Sequence, residues 1–169
     1  MEKKLRVGIF RSNRNGWTAF YTHCLKIDPW FEVVTVAARP AFRRKRHTKR
    51  QSADAGKMDT PMPEGVKKLI VKNVNEVEEV ASTVDFVFSA VDMTKDEIKA
   101  IEEAYAKTET PVVSNNSAHR WTKDVPMVVP EINAAHFDLI KTQKERLGTT
   151  RGFIAVKPNC SIQSYTPAL

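Results

Sequence analysis

The 169-residue sequence predicts a doubly wound α/β fold on a mostly parallel sheet. Two observations carry that prediction. Several short runs are apolar along their whole length rather than alternating, the pattern of strands covered on both faces. Helical patterns fall between these runs, so strand and helix alternate along the chain. No segment repeats another.

Leu5–Phe10 is the first such run, and Phe31–Ala38 (FEVVTVAA), rich in Val, is the second. Asn75–Ala81 reads as a short helix, followed by a third strand at Val84–Ala90. Thr94-Lys-Asp-Glu97 is a capping box, with a hydroxyl at the N-cap and a carboxylate three residues on. It opens a helix over Asp96–Lys107 with Ile98, Ile101 and Tyr105 on one face. Pro111–Ser114 is a shorter strand, and Met127–Val129 and Phe153–Val156 predict two more. Asn133 is placed to cap a helix to Arg146, with Phe137 and Ile140 as its apolar stripe and Gly148 as its stop. A last helix is expected from Gln163 onward.

Composition narrows the function classes. The apolar share of 41% and charged share of 28% suit a soluble chain with a core. No run approaches the ~18 apolar residues of a membrane span. The opening Met-Glu-Lys-Lys-Leu-Arg lacks a signal-peptide stretch, and two cysteines, Cys24 and Cys160, make no disulfide framework. A reducing, cytoplasmic setting is therefore expected. His23, His47, His119 and His136 are scattered without metal-ligand spacing, so no metal is expected. The net charge is +7, but seven basic residues lie between Arg39 and Arg50 with no acid among them. The other 20 basic residues balance the 20 acids, so the basicity is local. A nucleic-acid-binding module is the reading that this tract would support, through salt-sensitive phosphate contacts. The tract has no interleaved aromatic beyond Phe42, which disfavours it.

Lys157-Pro-Asn-Cys-Ser161 lies between a predicted strand and a predicted helix. A thiol at such a turn sits near the positive end of the helix dipole, which favours the nucleophilic thiolate. A buried structural cysteine is the alternative reading.

With the words Phe86-Val-Phe-Ser-Ala-Val91, Val113-Ser-Asn-Asn-Ser117 with Arg120, and Asp124-Val-Pro-Met-Val-Val-Pro-Glu-Ile-Asn133, the Pro158-Asn-Cys-Ser161 segment resembles aspartate-semialdehyde dehydrogenase. The order and spacing are those of that family's N-terminal half, nearer its archaeal and fungal branch. The resemblance covers Met1–Phe10, Pro29–Ala38 and Lys57–Leu169. It implies a Rossmann-like domain over residues 1–157, with 11–28 and 39–56 atypical, and the start of a truncated catalytic and dimerisation domain at 158–169. It implies NADPH-dependent reduction of L-aspartyl-4-phosphate to the 4-semialdehyde, with release of phosphate, in the biosynthesis of lysine, threonine and methionine. Cys160 would form the acyl thioester, splitting one hard step into two. Arg120 would bind a substrate anion, and Asn159 would orient the acyl group. Ser89, Ala90 and Asn115 would line the NADP site. The plainer alternatives are a surface salt bridge for Arg120 and ordinary turn roles for the Ser and Asn residues. A related acyl-phosphate reductase, such as an N-acetyl-glutamyl-phosphate reductase, is the neighbouring reading, because Pro-Asn-Cys looks similar there. The full-length family implies a homodimer or tetramer.

The pattern breaks in three places. The family carries a Gly-Ala-Thr-Gly-x-Val-Gly loop after the first strand, where backbone must approach the pyrophosphate. Here those positions read Arg11-Ser-Asn-Arg-Asn-Gly-Trp17. Codons can be chosen for Ser12–Phe20 that, read in a shifted frame, give Gly-Ala-Thr-Gly-Met-Val-Gly-Gln-Arg. Shifted codons for Arg39–Gly56 likewise give family-like peptide, so Arg11–Asp28 and Arg39–Gly56 are expected to be frame-shifted segments without selected function. The chain also stops at Leu169, inside the helix after Cys160. The half that would supply the acid/base His is absent, so the chain as written is expected not to turn over, and the apolar surface left exposed predicts poor solubility.

Overall fold

The computed structural model describes residues 4–11, 29–39 and 69–169. The atypical tracts, apart from Arg11 and Arg39 at their edges, lie outside the described residues, as do Cys24, His23 and His47.

The described strands are β1 (Leu5–Arg11), β2 (Phe31–Ala38), β3 (Val71–Asn73), β4 (Phe86–Ala90), β5 (Val112–Ser114) and β6 (Ile154–Val156). They form one sheet in the order β3-β2-β1-β4-β5-β6. Every pairing is parallel. The described helices are α1 (Val77–Ala81), α2 (Lys95–Lys107), α3 (Pro130–Asn133), α4 (Leu139–Leu147) and α5 (Cys160–Tyr165), with 3-10 turns at Ala134–Asp138 and Thr166–Ala168. The chain runs outward from β1 in one direction to β3 and then in the other to β6. The reversal between β1 and β4 is the switch point where doubly wound folds bind ligands, beyond the carboxyl ends of the strands.

The continuous apolar runs are explained by burial on both faces. Val7, Gly8, Ile9 and Phe10 of β1 are all buried. Phe10 joins the larger cluster with Val80, Val87, Ile98, Ile101 and Tyr105. Val7 and Ile9 join the smaller one with Val36, Ala38 and Val71. The Thr94 capping box forms as the sequence predicts, and Ile98, Ile101 and Tyr105 are buried on α2. Tyr105 is fully buried against Phe10, ring centroids 4.4 Å apart, and its hydroxyl donates to the Val74 carbonyl at 2.8 Å. Desolvation pushes that phenol's pKa well above its ordinary value.

Four expectations are corrected. Met127–Val129 is not a strand; Met127 makes one isolated parallel bridge to Val156. Pro126 and Pro130 bracket the segment and lack the N–H groups a longer ladder would need. Asn133 does not cap the following helix with its side chain. Its amide instead accepts from Val129 N at 2.8 Å and donates to Met127 O at 3.0 Å, bonding the groups a further strand would have bonded. Phe137 is exposed, and the buried positions on α4 are Gln143 and Leu147. The last helix begins at Cys160 rather than Gln163, because Asn159 supplies the cap. The structure also adds β3, whose three residues are too short a run to stand out in sequence.

Two turns at the opposite end of the sheet from the switch point are fastened together. Gly148 closes α4 in the left-handed region, φ 70°, as a C-cap glycine does. Glu109 also has positive φ, at 62°. Its carboxylate accepts from the main-chain nitrogens of Thr150, Arg151 and Gly152 at 2.9, 2.6 and 2.8 Å. Three successive N–H groups make a concave anion site. They hold the Glu109 pKa at about 2.

Candidate active site

The carboxyl ends of β4, β5 and β6 carry the residues singled out in the sequence. Ser89 and Ala90 end β4, and Asn115 follows β5. Asn115 is exposed, and its main-chain nitrogen donates to the Ser89 carbonyl at 2.8 Å. Ala90 is 6% exposed and pairs with Arg11 of β1 across the switch point. Ser89 itself is fully buried, and its hydroxyl accepts from the Asn116 side-chain amide at 3.1 Å. The structure thus brings these three together at the carboxyl ends of β4 and β5, with the Ser89 side chain turned into the core.

Cys160 is the first residue of α5 and is exposed, so the buried-cysteine reading falls. Its main-chain position places the thiol at the helix end where backbone N–H groups lack intrahelical partners. Asn159 caps this end through a 2.8 Å bond from Ser161 N to its side-chain oxygen, which also lies 3.9 Å from the Cys160 sulfur.

Arg120 is half-buried and makes no salt bridge among the described residues. Its Nε donates to the Lys157 carbonyl at 3.2 Å and its Nη2 to the Pro158 carbonyl at 3.3 Å. Lys157 N in turn donates to Ser114 O at 3.0 Å. The segment after β5 and the turn leading to Cys160 are therefore joined at two points. The rigid fork of a guanidinium suits bonding two successive carbonyls.

Sequence reasoning missed several residues. Glu102 is fully buried on α2; its Oε1 accepts from Ser114 Oγ at 2.7 Å and Asn116 Nδ2 at 2.9 Å. The available signal was an acid on the stripe of Ile98, Ile101 and Tyr105. His119, also buried, has its Nε2 at 3.9 Å from Glu102 Oε2 and its Nδ1 at 3.2 Å from Thr122 Oγ1. Burial pushes its imidazole pKa below the ordinary value. Arg39 stands just past the end of β2, with its side chain 38% exposed, donating to the Asp92 carbonyl at 2.9 Å and facing Glu97 at 3.6 Å. The position after β2 is where an acid meets a ribose hydroxyl in NAD sites and an arginine meets the 2′-phosphate in NADP sites.

The strand order and the polar residues grouped beside its switch point define a dinucleotide-binding domain of the Rossmann-like class. The chain belongs to the semialdehyde dehydrogenase family of oxidoreductases: it matches the model of the semialdehyde dehydrogenase NAD-binding domain over residues 20–140. That match begins beyond β1, which ends at Arg11. The chain is 32% identical to aspartate-semialdehyde dehydrogenase of Trichophyton rubrum over 94% of its length and 42% of the relative. It is 35% identical to the enzyme of that name from Methanothermobacter thermautotrophicus over 88% of the chain and 40% of the relative. A malonyl CoA reductase (NADP) of Metallosphaera sedula is 36% identical over 66% of the chain and 33% of that protein. The crystal structure of the Candida albicans aspartate semialdehyde dehydrogenase with NADP superposes with a TM-score of 0.75 at 27% identity, covering 98% of this chain and 46% of that one. The chain thus spans less than half the length of these relatives. Among the described residues no helix is long and apolar enough to cross a membrane.

Proposed function

We propose that this chain is the cofactor-binding portion of an NADP-dependent aspartate-semialdehyde dehydrogenase, with residues 1–157 as its dinucleotide domain and 158–169 opening the catalytic one. The observation that carries this reading is the pair of bonds from Arg120 to the carbonyls of Lys157 and Pro158. They join the Asn115-to-Arg120 segment to the turn that presents Cys160. One anion-binding group and one nucleophile thereby belong to a single frame.

The described residues that would border the cofactor are the following; the positions where the family carries its glycines lie, apart from Arg11, outside them. Ala90 and Asn115 border the crevice at the switch point, Ser89 holds Asn115 through its carbonyl, and Arg39 offers a cation where a 2′-phosphate would lie. Arg39 is the first residue of the tract read in the sequence as frame-shifted. Given this role it would carry a function which that reading denies it, and as an arginine in place of an acid it favours NADP over NAD. When bound, NADPH supplies the hydride. The Cys160 thiolate attacks the carbonyl carbon of L-aspartyl-4-phosphate. The carbon–oxygen bond to phosphate breaks, inorganic phosphate leaves, and a thioester remains on sulfur. The Arg120 fork, with donors beyond the two that bond main chain, holds a substrate anion. Asn159, its carbonyl oxygen bound as the cap, offers its amide N–H groups to the acyl oxygen. On reduction of the thioester carbon, Cys160 would be released as thiolate, the carbon–sulfur bond breaking as the acyl group departs as the semialdehyde. The full-length protein works as a cytoplasmic homodimer or tetramer.

Titration of the purified chain with NADPH, read by nucleotide fluorescence at moderate salt, tests the cofactor assignment: low-micromolar affinity is expected, and no binding overturns it. Intact-mass analysis after exposure to L-aspartyl-4-phosphate tests the nucleophile. An aspartyl adduct with matching phosphate release is expected, and neither in Cys160→Ala. Acylation by malonyl-CoA but not by the acyl phosphate would replace the substrate assignment.

A further inference from the structure

Beneath the crevice lies a buried polar network that the proposed chemistry does not use. Its centre is Glu102, fully buried on the inner face of α2. Its Oε1 accepts from Ser114 at the end of β5 and from Asn116 in the segment beyond. The Asn116 amide also donates to Ser89 at the end of β4, and Asn116 N donates to Ser114 Oγ at 3.0 Å. Glu102 Oε2 and His119 Nε2 face each other at 3.9 Å, beyond hydrogen-bond reach, and neither atom has a hydrogen-bond partner among the described residues. One carboxylate therefore bonds the end of β5, is linked to the end of β4 through Asn116, and lies beside the imidazole next to Arg120. A helix stripe that is otherwise Ile and Tyr gains nothing in core packing from an acid. A buried charge is costly unless several donors converge on it.

We propose that Glu102 is a positioning residue for the nicotinamide site: it fixes Asn116 and His119 from below, and so sets the placement of Asn115 and Arg120, which flank them in the chain. This rests on the cofactor reading above. His119, held neutral by burial, presents Nε2–H to Glu102 when Nδ1 accepts from the Thr122 hydroxyl. The carboxylate collects donors from β5 and from the loop, and lies beside the residue before Arg120. Its effect is on geometry, where a displacement of about 1 Å can cost roughly a hundredfold in function.

The test compares NADPH affinity of the full 169-residue chain with Glu102→Ala and Glu102→Gln, each checked for a cooperative thermal transition. Glu102→Gln keeps an oxygen for Ser114 and Asn116, so its affinity is expected within about threefold of the parent, whereas Glu102→Ala loses roughly tenfold or more. Rescue by Gln is not expected if the carboxylate merely contributes charge to stability. If Glu102→Ala does not fold, Asn116→Ala, at a half-buried position, breaks the same link and is expected to show the same loss. Unchanged affinity in whichever of these two folds overturns the positioning role while leaving the cofactor reading intact. No NADPH binding by the parent chain overturns both.

Discussion

Glu109 Oε2 lies 2.8 Å from the main-chain nitrogen of Gly152, 43 residues away, and the same carboxylate bonds the two nitrogens before it. The α2–β5 turn and the α4–β6 turn are thereby held as one piece. The carboxylate titrates at about 2 in the folded chain against an ordinary 4.5. A depressed folded pKa contributes stability that is full above 4.5 and disappears as pH falls toward 2. Urea unfolding of the parent and Glu109→Gln across pH 7 to 2 is expected to show the parent's advantage narrowing through that window. A constant gap would contradict it.

Gly152 is required for a different reason. A Cβ there would drive into the main-chain carbonyl of Ala106 and press on the Glu109 backbone. Neither can rotate away as a side-chain tip would. Gly152→Ala is expected to cost about 2 kcal/mol or more, as overpacking does. Chemical denaturation measures it.

Gln143 satisfies the main chain of β6. Its Nε2 donates to Ile154 O and Asp124 O, both at 2.9 Å, and its Oε1 accepts from Ile154 N at 2.6 Å. Gln143→Leu keeps the volume and leaves three buried main-chain groups unpaired. A loss of about 3 kcal/mol is expected from urea midpoints, given ~1–3 kcal/mol per orphaned group with partial relaxation.

Arg39→Ala removes the cation after β2. NADPH affinity is expected to fall roughly tenfold, about 1.4 kcal/mol, with NADH affinity unchanged. Fluorescence titration with both nucleotides decides. An equal fall for both would mean that Arg39 acts through its contact with Glu97 and the Asp92 carbonyl.

The sheet was legible because two-sided burial writes itself as uninterrupted apolar residues, as at Val7–Phe10. The Thr94–Glu97 cap was legible because both its partners are local. Met127–Val129 misled because an apolar triplet between prolines looks like a strand whether or not a ladder forms. Its main chain bonds partly to β6 and partly to Asn133, a side chain four residues on from Val129. Asn133 itself looked like a cap by residue type, and only the turn's geometry shows it reaching back instead. The motif words located Cys160, Arg120 and the Ser-Asn segment. They did not reveal that Arg120 bonds main chain, because a guanidinium's partners here are carbonyls that carry no residue signature. Glu102 was readable only as an anomaly on an apolar stripe, since its partners are contributed by other elements.

The outer border of β6 has a sealed edge. Ile154 bonds to Gln143, Val156 bonds to Pro126 and Val128, and the outward groups of Met127 and Val129 end on Asn133. Main-chain pairing is handed to one short segment and then extinguished on a single carboxamide. An extended peptide arriving there finds these N–H and C=O groups already engaged. Among the described residues the groups so bonded are unavailable to an added strand, which disfavours growth of the sheet along this margin.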